Sequence, residues 1–81
     1  MKKVKSLGHL KDILNDGGMR DFFIQLNFGL RSSKSISYDG EKFWVFNYID
    51  DTEQVLTDEQ IMDDDYTNIG KAIRCGALFL D

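Results

Sequence analysis

The nine residues from Glu41 to Ile49, EKFWVFNYI, constrain the fold of this chain more than any other segment. No helical period fits them, and aromatic and β-branched residues dominate, as is typical of a strand with two apolar faces. Asp39-Gly40 directly precedes this segment and favours a two-residue hairpin loop, because both residues tolerate positive φ. The sequence therefore predicts a central strand that other elements pair with or cover. The alternating residues fall into two sets: Phe43, Val45 and Ile49 on one face, and Trp44, Phe46 and Tyr48 on the other.

Length and composition limit the chain to a single small globular domain spanning residues 1–81. The one cysteine, Cys75, excludes an internal disulfide and favours a reducing, cytoplasmic location. No apolar run approaches the ~20 residues of a membrane span, so we expect no membrane partner. The oligomeric state is left open between a monomer and a weak homodimer.

The first half of the chain predicts a helix over residues 6–16, followed by strands over residues 20–27 and 30–38. Ser6 is a plausible helix N-cap, and Gly17 supplies the left-handed residue that ends the helix. A turn is expected at Asn27-Phe28-Gly29. The second strand is rich in serine, so it depends on tertiary pairing.

A two-residue loop at Asp39-Gly40 would pair Tyr38 with Glu41 and Ile36 with Phe43. Ile36, Phe43 and Val45 then form the more conventional core face. The opposite face carries large aromatic rings beside small serines, and a face of this kind could also pack against a helix.

The second half predicts two helices. Thr57 and Gln60 match a capping box, flanked by the hydrophobic staple of Leu56 and Ile61. A third helix runs to Cys75, and Ala77–Leu80 either packs across the core or adds a short edge strand. The predicted fold class is α+β, with a helix, a three-stranded antiparallel meander and two helices (αβββαα), the helices mainly on one face.

Charge is distributed unevenly along the chain. Residues 50–65 contain eight of the 14 acidic residues and no lysine or arginine, so this segment is −8 and the remainder is +4. Such polarity argues against direct nucleic-acid binding and favours attraction to a basic protein surface. The candidate protein-binding residues are Asp50, Asp51, Glu53, Asp58, Glu59, Asp63, Asp64 and Asp65, with Arg31, Trp44 and Tyr48 from the sheet.

The aromatic residues Trp44, Phe46 and Tyr48, with Arg31 and Lys42 nearby, could stack the bases of a single strand. Burial of these rings under a helix is the more common arrangement, since large exposed apolar patches are rare in monomers. The net charge of −4 also disfavours nucleic acid.

The sequence gives little support for a catalytic or metal site. We therefore expect that the protein is not an enzyme and binds no cofactor. His9 is the single histidine, and Cys75 lies near a helix C-terminus, where the dipole opposes a thiolate. The run Asp63-Asp64-Asp65 does not match the spacing of a calcium-binding loop, and such runs are usually solvated.

The resulting hypothesis is a small non-enzymatic binding module, regulatory in role, that recognises another protein through the acidic segment and the sheet edge. One alternative is an acidic inhibitor that mimics nucleic acid, and a Cys/His enzyme is a weaker one. Small acidic phage inhibitors of nucleases share this length and general order of elements, which is compatible with a phage or mobile-element origin. No motif matches them residue by residue, so the chain is assigned to no family.

Overall fold

A computed structural model describes the backbone of residues 1–26 and 29–81 and the side chains of residues 1–25 and 34–81. In these ranges the chain forms six strands and three short helices. Their bounds, in chain order, are β1 Lys2–Lys3, α1 Leu7–Ile13, β2 Arg20–Leu26, β3 Gly29–Tyr38, β4 Phe43–Asn47, β5 Thr52–Leu56, α2 Asp58–Met62, α3 Ile69–Arg74 and β6 Leu78–Leu80.

All six strands belong to one antiparallel sheet with the order β1-β6-β2-β3-β4-β5. The α+β class and the antiparallel sheet agree with the sequence, but the predicted αβββαα layout is wrong. It omitted β5, whose residues 52–55 are mostly polar, all exposed and show no apolar alternation, and the two-residue β1. The C-terminal segment forms β6, which lies inside the sheet between β1 and β2.

The pairing of β3 with β4 also differs from the prediction. Tyr38 pairs with Phe43 and Ile36 with Val45, a shift of two residues from the expected register. The shift arises because residues 39–42 form one turn, closed by the Asp39 N–H donating to the Lys42 carbonyl at 3.1 Å. Because side chains alternate with a period of two, this shift leaves the paired residues of β3 and β4 on their expected faces. The prediction that Ile49 lies on the core face is wrong, because β4 ends at Asn47 and Ile49 falls in the next turn, where it is exposed.

One apolar cluster joins the helices to a single face of the sheet, and it includes Ile36, Phe43 and Val45. Trp44 and Phe46 alternate with these residues and therefore lie on the opposite face, which we call the outer face. The buried members of the cluster are Val4, Leu10, Leu14, Phe22, Ile36, Phe43, Val45, Leu56, Ile61, Ile69, Ala72, Ile73, Leu78 and Leu80.

The N-cap residues predicted from the sequence mark the observed starts of α1 and α2. The Ser6 side chain accepts a hydrogen bond from the His9 N–H, and both bonds of the Thr57–Gln60 capping box are present. Leu56 and Ile61 are both buried in the core, as a hydrophobic staple requires. Among the helices described, none has the length and apolar character needed to cross a membrane, and the longest has seven residues.

Candidate binding surface

The turn between β4 and β5 presents apolar and acidic side chains together. Asn47 fixes this turn, since its Oδ1 accepts hydrogen bonds from the N–H groups of Ile49 at 2.9 Å and Asp50 at 3.3 Å. Asp51 adopts a φ of 54°, a left-handed conformation that aspartate tolerates better than most residues. The fixed backbone leaves Ile49 79% exposed, at the end of the sheet where β5 begins.

Strand β5 is one edge of the sheet and pairs only with β4. Residues 52–55 are exposed, and Leu56 alone is buried. The five pairs from Asn47–Thr52 to Phe43–Leu56 are in continuous register. The side of residues 52–55 that faces away from β4, which we call the β5 edge, therefore presents unpaired backbone donors and acceptors to solvent.

The outer face contains the aromatic residues that the sequence singled out. Trp44 is half-buried, and Tyr48 is 51% exposed and meets Phe46 edge-on, with 5.4 Å between ring centroids. The helices pack against the other face of the sheet. These rings are therefore not buried under a helix, contrary to the more common arrangement for such residues. Among the described rings of the outer face, Tyr48 is thus accessible to a partner and Trp44 is partly accessible.

Asp39 anchors Trp44 at the opposite end of the hairpin. The indole Nε1 donates to Asp39 Oδ2 at 2.9 Å, while the other oxygen accepts from the backbone N–H groups of Glu41 and Lys42. Hydrogen bonds from the Lys42 N–H, the Trp44 indole and the Glu41 N–H lower the pKa of the Asp39 carboxyl below its usual 3.8. Asp39 therefore organises the turn and orients the single tryptophan.

Two of the eight acidic residues of the segment are neutralised by bases from elsewhere in the chain. Lys11 of α1 forms an ion pair with Asp58, and Arg74 of α3 pairs with Asp64 at 2.8 Å. The sequence could not show these pairs, because the partners lie 47 and ten residues away. At these two positions the charge of the segment is compensated, although the segment itself has no lysine or arginine.

The other six carboxylates of the acidic segment make no ion pair in the described ranges. Asp63 accepts from the Asp65 N–H at 2.9 Å, and Asp50 accepts from the Asn47 amide at 3.5 Å. In residues 1–25 and 34–81, no ion pair or hydrogen bond involves the carboxylates of Asp51, Glu53, Glu59 and Asp65. Glu53 belongs to β5, and Asp50 and Asp51 directly precede that strand, whereas the others lie on α2 and the link to α3. The side chain of Arg31 lies outside the described residues.

The structure gives His9 a local structural contact. Its Nδ1 accepts from the Lys5 N–H at 3.0 Å, next to the N-cap of α1. Cys75 is exposed and lines a depression of about 300 Å³ with residues of β2 and α3, and His9 is not part of it. The structure therefore does not bring the two residues together at this depression.

No group of three metal-ligating side chains lies together among the residues whose side chains the structure describes. Comparison of the chain with protein-family models, curated proteins and solved structures found no match. The similarity to small acidic phage inhibitors of nucleases was judged from the predicted αβββαα layout. Because the observed order of elements differs, it no longer supports that similarity.

Proposed function

We propose that this protein is a small, non-enzymatic recognition module that binds a basic surface of another protein. The β5 edge supports this proposal most directly, since it combines open backbone groups with three adjoining carboxylates. Backbone pairing at such an edge provides affinity, and side-chain contacts provide selectivity. The free, exposed Cys75 is compatible with the reducing cytoplasm as the place of action.

At the end of the acidic segment near β5, no carboxylate has a basic partner among the described side chains. Asp51 and Glu53 make no ion pair in the described ranges, so a basic partner would meet uncompensated charge. Asp58 and Asp64 already have internal partners. We therefore propose local recognition near β5 rather than mimicry by the whole segment, because two of its eight carboxylates are already paired within the chain.

Capture from a native lysate by the immobilised full chain tests this function at 50 and 200 mM salt. Exposed charges are screened over ~10 Å at 0.1 M, so capture should weaken several-fold at the higher salt. The combined variant Asp50→Asn, Asp51→Asn and Glu53→Gln should lose the captured protein.

A control with the same change in net charge combines Asp12→Asn, Glu41→Gln and Asp81→Asn, all at exposed positions. It should capture as well as the natural chain. Equal losses in both variants would reduce the effect to net charge and contradict the proposal. A third variant with Asp63, Asp64 and Asp65 changed to Asn tests whether the whole segment is needed, as mimicry requires.

A further inference from the structure

The two edges of the sheet differ in how they resist pairing with another chain. Edge strand β1 has only two residues, both exposed lysines, which is a common way to block an edge. Edge strand β5 has five residues in unbroken register, with no lysine, proline or irregularity. A strand of another chain could therefore pair along β5 but not along β1.

The register of the sheet defines what the outer face of β5 offers to such a strand. Val55 pairs with Trp44, and Glu53 pairs with Phe46, so both residues lie on the outer face beside aromatic rings. Val55 is 42% exposed although it is apolar. Gln54 pairs with the buried Val45 and so belongs to the other face.

Cross-strand neighbours prefer complementary side chains, and these preferences specify the ligand. Opposite Val55 an apolar residue would bury surface beside Trp44, and opposite Glu53 an arginine or lysine would pair with the carboxylate. The aliphatic stem of that basic residue could also cover the ring of Phe46. The two ligand positions are separated by one residue, because Glu53 and Val55 are two apart.

We infer that β5 binds an extended segment of a partner protein, added antiparallel to it, with an apolar residue, any residue and then a basic residue. This inference rests on the proposed function and identifies the partner chemistry at the same edge. Antiparallel pairing fixes the order, because the partner passes Val55 before Glu53, and it is slightly more stable than parallel pairing. A parallel strand would need the reverse order.

A second copy of this chain fits the β5 edge less well. Antiparallel pairing of two β5 strands about Gln54 sets each Glu53 against a valine and leaves it without a counterion. Pairing about Glu53 sets the two carboxylates against each other, which is unfavourable. Each copy also has a net charge of −4. A basic segment from another protein satisfies both outer-face positions.

Two peptides of equal composition test the inference with the isotope-labelled full chain. Acetyl-Thr-Thr-Ile-Thr-Arg-Thr-Thr-amide has the inferred order, and acetyl-Thr-Thr-Arg-Thr-Ile-Thr-Thr-amide reverses it. We expect the first peptide to shift the backbone amide signals of residues 52–56. Its dissociation constant should be about two- to fivefold lower than that of the reversed peptide, as cross-strand pair preferences imply.

A charge exchange separates specific pairing from general attraction. Glu53→Lys should reverse the preference, so that a peptide with glutamate in place of arginine binds more tightly than the arginine peptide. Glu41→Lys makes the same change in net charge at an exposed turn residue and should keep the arginine preference.

Several results would overturn the inferred ligand: no binding by either peptide, equal affinity, tighter binding of the reversed order, or shifts outside β5. Concentration-dependent self-association through β5 would assign the edge to a second copy instead. None of these results removes the broader function, because capture of a basic protein that depends on Asp50, Asp51 and Glu53 is measured separately.

Discussion

The hydroxyl of Tyr48 donates a hydrogen bond to Oδ1 of Asp21 at 2.6 Å, although β3 lies between the strands of these two residues. Tyr48 directly follows β4, and Asp21 belongs to β2. Ser35 of β3 pairs with both Asp21 and Phe46 and is 0% exposed. We attribute the small residue at this position to the need for space beneath the tyrosine, which links three strands on the outer face.

Tyr48→Phe should lower the free energy of unfolding by about 1 kcal/mol, because the variant loses a hydrogen bond to a carboxylate but keeps the ring. Urea denaturation measures the change. Tyr66→Phe is the matched control, since Tyr66 is 50% exposed and its hydroxyl makes no hydrogen bond among the described side chains. Equal losses in the two variants would show that the bond to Asp21 contributes nothing.

Acid should release Trp44 from Asp39. Because hydrogen bonds in the folded state lower the pKa of Asp39, its stabilising contribution is complete above the unfolded value of 3.8 and is lost as pH falls through the folded value. Trp44 is the single tryptophan, so its fluorescence should change with a midpoint below 3.8. In Asp39→Asn this titration should vanish. A midpoint above 3.8 in the natural chain would contradict the assigned contacts.

Features set by neighbouring residues were predictable from the sequence. The Thr57–Gln60 capping box needs only its own hydrogen-bonding groups. Gly76, which follows the end of α3, has the left-handed φ of 66° that glycine commonly adopts there. The faces of β4 were also predicted correctly, because alternation of side chains survives an error of two residues in register.

Features set by distant residues were not predictable. Strand β5 is stabilised by pairing with β4, and its exposed polar residues resemble a loop in composition. The β3–β4 register depends on the three hydrogen bonds that Asp39 accepts, which favour a longer turn over the two-residue loop. The candidate surface was predicted only in part, since its acidic residues were visible but the edge that adjoins them was not.

Lys11 should stabilise the fold by joining α1 to α2. Its ammonium pairs with Asp58 and lies 5.4 Å from the ring centroid of Tyr38. The bond to Asp58 raises the pKa of Lys11 above 10.5, so its stabilisation is complete below the unfolded value and is lost as pH rises through the folded one.

At pH 7, Lys11→Met should lower the thermal midpoint by a small amount, because exposed ion pairs contribute little and are screened by salt. Lys71→Met is the control, because Lys71 is exposed and makes no ion pair in the described ranges. Thermal denaturation of both variants at low and high salt measures the difference. A loss at Lys11 that persists unchanged in 1 M salt would assign its effect to packing rather than to charge.

The same substitution should have opposite effects in α1 and α3. A methyl group at Gly70 would lie 2.7 Å from the Cα of Met62 and 2.8 Å from its carbonyl oxygen, at the end of α2. These backbone atoms cannot rotate away, so Gly70→Ala should destabilise the protein by about 1–3 kcal/mol. At Gly8 the nearest atom is Ser6 Oγ at 3.9 Å, so Gly8→Ala should stabilise α1 by about 0.5–1 kcal/mol. Urea denaturation compares the two variants. Stabilisation by both would show that α2 and α3 do not approach as closely as the structure places them.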